Sequence, residues 1–190
     1  MANQKVFLEI GTCDFDTCLP LAKQGWKGYM VEADPKYAEE MDTQTKPYDV
    51  EVSNQAITDY DGYIKFHTTI QSTSANAGWI RGIGHVAANN HIGTRLLDNE
   101  KNKGFIDQTI TVPCSTLDTY IKETGIEHID FMKLDVEGHE LNILGSYSWS
   151  VKPSFVKIEH SHIDDIRMCN LLSAQGYMVW TERNDIYGVV

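Results

Sequence analysis

The chain has 190 residues, with 27 acidic against 16 basic side chains and a net charge of −11 when the histidines are neutral. That length supports one sizeable core and is short for two domains, while the acidity excludes a protein that tracks nucleic acid with a basic face. No apolar run approaches the ~20 residues of a bilayer span, and the start, Met1-Ala-Asn-Gln-Lys-Val6, lacks the regions of a signal peptide, so no membrane partner and a cytoplasmic location are expected.

The first element is Val6-Phe-Leu-Glu-Ile10, an apolar run closed by Gly11 and therefore a buried parallel strand. Pro20 tolerates only a first helical turn, so the next helix starts late, with Asp16 or Thr17 as its N-cap, and ends by Gly25. A second strand runs from Gly28 and stops at Glu32. Asp34-Pro35 then supplies a cap followed by proline at the first helical position. A third strand is expected from Val50 to Ile57, and after the Asp61-Gly62 turn an antiparallel or edge strand from Tyr63 to His67.

Residues 69–107 show no periodicity and read as a partly helical insert on the substrate side of the domain, since a loop of this length in a compact domain usually carries function. Thr109 to Val112 is a strand, followed by a capped helix from Ser115 that closes near Gly125. Ile129, Phe131, Met132 and Leu134 mark a short buried strand that ends abruptly at Asp135, Glu137, Gly138 and Glu140, and Leu141 and Leu144 begin a helix at once. Phe155 to His160 is another strand. A helix from Asp164 to Ala174 and a hairpin of Tyr177–Trp180 with Ile186–Val190 complete the chain. The alternation predicts one domain with a mostly parallel sheet, helices on both faces and an antiparallel edge. The four cysteines (Cys13, Cys18, Cys114, Cys169) follow no disulfide or zinc spacing and read as reduced thiols.

In open α/β sheets ligands bind beyond the carboxyl ends of the strands. Four of those ends are acidic here: Glu9, Glu32, Asp135 and Glu159. Carboxylates would repel a pyrophosphate, and Cys13 and Asp16 stand where a dinucleotide loop needs its second and third glycines. An NAD- or FAD-dependent oxidoreductase is therefore disfavoured. Glu32 lies 21 residues after Gly11, close to the ~20-residue offset at which an acid accepts hydrogen bonds from an adenosine ribose. S-adenosylmethionine has that ribose, an ammonium and a sulfonium, and no phosphate.

The stretch Ile129-Asp-Phe-Met-Lys-Leu-Asp-Val-Glu-Gly-His-Glu140 resembles the signature of the FkbM-type family of methyltransferases that use S-adenosylmethionine. Leu8-Glu-Ile-Gly11, Val31-Glu-Ala-Asp-Pro35, Asn54-Gln-Ala-Ile57, Asp61-Gly62 and Ser115-Thr-Leu-Asp118 are similar to its other landmarks, in order. The resemblance implies a Rossmann-like, seven-stranded class I fold and O-methylation of a small hydroxylated acceptor, a sugar or natural product. It implies that Glu9, Gly11, Thr12, Cys13 and Asp14 contact the methionine part of the cofactor. Glu32 and Ala33 would hold the ribose side, Asn54, Gln55 and Ala56 would lie near the adenine, and Asp135 would sit beside the methyl group. The loop Thr12-Cys-Asp-Phe15 departs from the family's usual continuation after the first glycine, which also admits a cofactor-binding protein of the same fold without turnover.

A hydroxyl acceptor needs its proton removed by a positioned base or a metal. Asp135 is the first candidate, with helix capping as its alternative role, and His139 is either a base or a surface helix residue. Glu137 divides between substrate contact and helix-start stabilisation. His160 and His162 would share a face if extended, and Asp135, Glu159 and His160 could complete an oxygen/nitrogen set for a divalent metal, although His160 as a metal-free catalytic base is preferred. Lys133 is expected to pair with an acid. Trp79, His85, His91 and Arg95 of the insert are the remaining substrate-contact candidates. The acceptor and the oligomeric state are not written in the sequence.

Overall fold

The opening strand sits at the centre of the main sheet. In the computed structural model, which describes residues 4–13, 18–70, 84–86 and 106–190, β1 (Val6–Ile10) is buried at all five positions. It pairs in parallel with β2 (Lys27–Glu32) on one side and, across a long chain excursion, with β8 (Phe131–Leu134) on the other. β3 (Val50–Asn54) continues the sheet beyond β2, and β9 (Phe155–Glu159) continues it beyond β8, again in parallel. β10 (Met178–Glu182) and β11 (Asp185–Val189) form a hairpin, and β11 runs antiparallel beside β9. The order is β10-β11-β9-β8-β1-β2-β3. It reverses direction between β1 and β8, so the crevice for a ligand lies above the carboxyl ends of those two strands.

Period-2 alternation along the central strands sorts their side chains to two faces. Leu8, Ile10, Met132, Leu134, Val156 and Ile158 pack beneath α3 (Leu117–Thr124), α4 (Glu140–Ser146) and α5 (Asp165–Ala174). Phe7 and Met30 face the other way, against Leu19 and Ala22 of α1 (Leu19–Lys23) and Met41 of α2 (Pro35–Thr45). Local signals end the helices as expected. Asp34 accepts from the Lys36 amide, Thr116 from Thr119 and Asp164 from Arg167, and Gly125 takes the left-handed conformation that closes α3. No disulfide joins any of the four cysteines. Among the described residues no helix is long and apolar enough to cross a membrane.

Two expectations are corrected. The N-cap of α1 is Cys18 rather than Asp16 or Thr17, and its amide donates to Glu9 Oε2 at 3.1 Å, so a carboxylate from the neighbouring strand does the capping. The single strand expected from Val50 to Ile57 breaks at Gln55, and β3 and β4 (Ala56–Thr58) belong to different sheets. The Asn54 side-chain amide donates to the carbonyls of Glu32 and Ala33 at 2.9 and 3.1 Å, satisfying the acceptors a continuing strand would have used and freeing the backbone to turn away. The strand after Asp61-Gly62 is the antiparallel one of its two alternatives. β5 (Gly62–Ile70) lies between β7 (Ile106–Thr116) and β6 (His85–Val86) in a second sheet of order β4-β7-β5-β6. The expected helical content of the 69–107 stretch falls outside the described residues.

Candidate functional site

Gly11 ends β1 where β8 passes closest. Its amide donates to the Val31 carbonyl at 3.0 Å, its φ is +78°, and a Cβ at that position would lie 1.7 Å from the carbonyl oxygen of Asp135. Glycine is required here because two strand ends converge. Thr12 follows, fully buried along the cleft wall, with a hydroxyl that has no hydrogen-bond partner among the described residues. Cys13 also has positive φ, and its amide donates to Glu32 Oε2 at 2.6 Å, while the Asp34 amide donates to Glu32 Oε1 at 2.7 Å. The buried Glu32 carboxylate thus clips the loop after β1 to the exit of β2. Burial raises its pKa above the ordinary range, against the two amides that favour the ionised form.

On the β8 side, Lys133 is nearly sealed from water, with its ammonium 3.2 Å from Glu9 Oε1, 3.4 Å from Asp135 Oδ2 and 3.2 Å from the Gly11 carbonyl oxygen. Burial works against its charge, but the two carboxylates outweigh it and its pKa stands above the usual lysine value. Burial raises Glu9 as well, with Lys133 opposing. Glu9 is wholly inaccessible and lies under the cleft floor rather than along it. Asp135 does line the cleft, with 32% of its side chain exposed.

The turn after Asp135 holds two successive left-handed residues, Glu137 at φ +56° and Gly138 at φ +97°. Its amides are gathered by the fully buried Glu140, which accepts from Val136 at 2.8 Å and from Gly138 at 3.0 Å. Desolvation pushes the Glu140 carboxyl up to about 7. The last acid of the motif therefore shapes the backbone, and Asp135 and Glu137 face the cleft beside it. His139 corrects the surface alternative: it is 5% exposed, lines the cleft, and is held below the ordinary histidine pKa by burial, against the carboxylate of Asp59.

Of the cofactor candidates, Gly11, Thr12, Cys13, Glu32, Ala33, Gln55, Ala56 and Asp135 come together along one cleft. Asn54 turns away into the backbone hydrogen bonds above, and Asp14 lies outside the described residues. The sequence reading missed Ile57, Lys133 and Val136 as lining residues, and also Gly84 and Val86 of the small sheet. Strand-end position marked the first group; nothing in a single sequence announces that a second sheet roofs the cleft. His85, between Gly84 and Val86, is buried and stacks on His67 with ring centroids 5.1 Å apart. Trp79, His91 and Arg95 lie outside the described residues.

The shared face of His160 and His162 does not form. The Ile163 amide donates to the His160 carbonyl in a turn, and His162 instead pairs with Glu137 at 3.1 Å, which raises its pKa. Glu159 accepts from the Ser161 amide at 2.8 Å, and neither it nor His160 lines the cleft. Among the described residues no group of three or more His, Cys, Asp or Glu side chains is placed to hold a metal ion.

The chain matches the methyltransferase FkbM domain family over residues 5–179. Among solved structures it is similar to a precorrin-6y C5,15-methyltransferase from Geobacter metallireducens GS-15, at 11% identity over 100% of this chain and 80% of that one with a TM-score of 0.47. It is also similar to a SAM dependent methyltransferase from Aquifex aeolicus, at 13% identity over 100% of this chain and 85% of that one with a TM-score of 0.43. No curated protein gives a significant match.

Proposed function

The chain belongs to the FkbM family of methyltransferases that use S-adenosylmethionine, and from that premise we propose that it methylates a hydroxyl of a small polar acceptor, a sugar or natural product. The observation that carries this reading is the composition of the cleft between β1 and β8. It is lined by Asp135 and Glu137 and, more deeply buried, by Glu32 and Thr12, whose hydroxyl has no hydrogen-bond partner among the described residues, and it has no glycine-rich phosphate cradle. Such walls suit a ligand with a positive centre and sugar hydroxyls.

The cofactor fits these residues. A carboxylate offers about four acceptor sites, and the two amides on Glu32 leave room for two ribose hydroxyls. Gly11, Thr12 and Cys13 would hold the methionine portion, with Thr12 Oγ1 giving a buried polar atom its missing partner. Ala33, Gln55 and Ala56 would flank the adenine. Bound there, S-adenosylmethionine supplies an electrophilic methyl on a good leaving group. The protein's part is alignment and exclusion of water. Asp135, at the mouth of the cleft, would orient the acceptor hydroxyl. The 69–107 stretch would act as the acceptor-side insert of a single domain, a placement supported by the contribution of Gly84 and Val86 to the cleft.

Calorimetry with S-adenosylmethionine and S-adenosylhomocysteine tests the cofactor assignment. Release of S-adenosylhomocysteine in the presence of saccharides and phenols tests the reaction. Binding of neither ligand by folded protein rejects the first, and binding with no turnover on any hydroxyl acceptor rejects the second.

A further inference from the structure

The cleft contains a histidine faced by an aspartate from the other sheet. His139 precedes α4, and Asp59 follows β4, the first strand of the small sheet. Asp59 Oδ1 lies 3.7 Å from His139 Nε2, a nitrogen buried from water with no hydrogen-bond partner among the described residues. His139 is itself one of the residues that line the cleft. The neighbouring charges are otherwise engaged: Glu140 holds the turn amides, Glu137 pairs with His162, and Asp135 pairs with Lys133. Among the described residues, Asp59 is the charged group that acts on the imidazole.

We propose that His139 takes the proton from the acceptor hydroxyl and that Asp59 is the positioning residue that sets its tautomer, an inference that rests on the methyl-transfer reading above. A carboxylate opposite Nε2 favours the hydrogen on that nitrogen and leaves Nδ1 with its lone pair for the cleft. Burial lowers the pKa of the ring and so favours its neutral form, the state a base must be in to accept a proton. The acceptor oxygen forms its bond to the methyl carbon, the carbon–sulfur bond breaks with its electron pair remaining on sulfur, and the hydroxyl proton goes to Nδ1. The products are a methyl ether, S-adenosylhomocysteine and an imidazolium facing Asp59. A 3.7 Å separation needs only a small approach to become a hydrogen bond, and such contacts commonly tighten when the ligand is in place. The arrangement selects a neutral hydroxyl, because a carboxylate acceptor has no proton to give up.

The test is long-range ¹H–¹⁵N correlation of the imidazoles in the whole protein, with the His139 signals among the seven histidines assigned by H139Q. The expected result is a single tautomer with hydrogen on Nε2. D59N should yield a mixture of tautomers and a titration moved to lower pH, and D59E should restore the wild-type pattern. An Nδ1–H tautomer in the wild type, or spectra indifferent to D59N, overturns the inference. Asp59 has 42% of its side chain exposed, so D59N stays folded even if the buried H139Q does not. In the saccharide assay D59N should lower turnover at least tenfold, and a folded H139Q by roughly 10²–10⁴-fold, the contribution of a general base. S-adenosylhomocysteine affinity should be unchanged in both. Unchanged turnover overturns the role of His139 while leaving methyl transfer intact. If no saccharide is methylated, the tautomer and titration results decide the inference alone.

Discussion

The Lys133 ammonium lies 3.2 Å from Glu9 Oε1 at 5% and 0% side-chain exposure, joining β8 to β1 beneath the cleft floor. Breaking a buried pair from one side leaves an uncompensated charge, which costs about 3–5 kcal/mol. K133M should therefore destabilise the fold by about that amount in urea unfolding at neutral pH. The double variant E9Q/K133M should cost clearly less than the sum of the two single changes, and additive losses would show that the pair is not coupled.

Gly11→Ala places a methyl 1.7 Å from the Asp135 carbonyl oxygen at a backbone φ of +78°. Backbone atoms at the convergence of two central strands have no slack, so either β1 and β8 separate or the loop is remodelled. A loss of at least about 2 kcal/mol is expected, together with loss of measurable S-adenosylhomocysteine binding by calorimetry. Wild-type melting and affinity in this variant would refute the close approach.

Glu140 carries a pH dependence of definite sign. Its carboxyl titrates at about 7 in the fold against an ordinary value of 4.5. A raised folded pKa means the folded form binds the proton more tightly, so the contribution is complete below the unfolded value and fades as pH rises through about 7. At 1.36 kcal/mol per unit the ceiling is about 3 kcal/mol. The unfolding free energy of the wild type minus that of E140Q should fall by up to this amount between about pH 4.5 and 8. A flat difference would contradict the burial argument. Glu9 and Glu32, also raised by burial, contribute with the same sign.

Glu32→Ala should weaken S-adenosylmethionine binding by about 1–3 kcal/mol, the cost of losing hydrogen bonds to a charged acceptor. In calorimetry that is roughly a 5- to 150-fold rise in Kd. The same change releases the amides of Cys13 and Asp34, so a lower melting temperature should accompany it. Unchanged affinity would remove Glu32 from the ribose.

Much of the architecture was legible because its signals are local. Runs such as Val6 to Ile10 report burial on both faces, and Asp34-Pro35, Thr116, Asp164 and Gly125 mark helix ends by chemistry confined to a few neighbouring residues. Strand-end position likewise pointed to Glu32 and Asp135, and both line the cleft. The same rule counted Glu9, which alternation places on the strand face turned to α1, where it caps Cys18 and pairs with Lys133. It also counted Glu159, which folds back onto Ser161.

The sequence by itself determined the order of elements, the central parallel sheet, the FkbM signature and the acidity of the strand ends, since each follows from periodicity, capping or residue type over short spans. Only the tertiary structure decided that the chain leaves the main sheet at Gln55, that a second sheet brings Gly84 and Val86 to the cleft and Asp59 to His139, and that Glu140 turns inward to the backbone while His139 is buried along the wall. The physical reason is that an alternating pattern reports whether a face is covered, whereas the identity of the covering element depends on contacts between residues as far apart as Asp59 and His139.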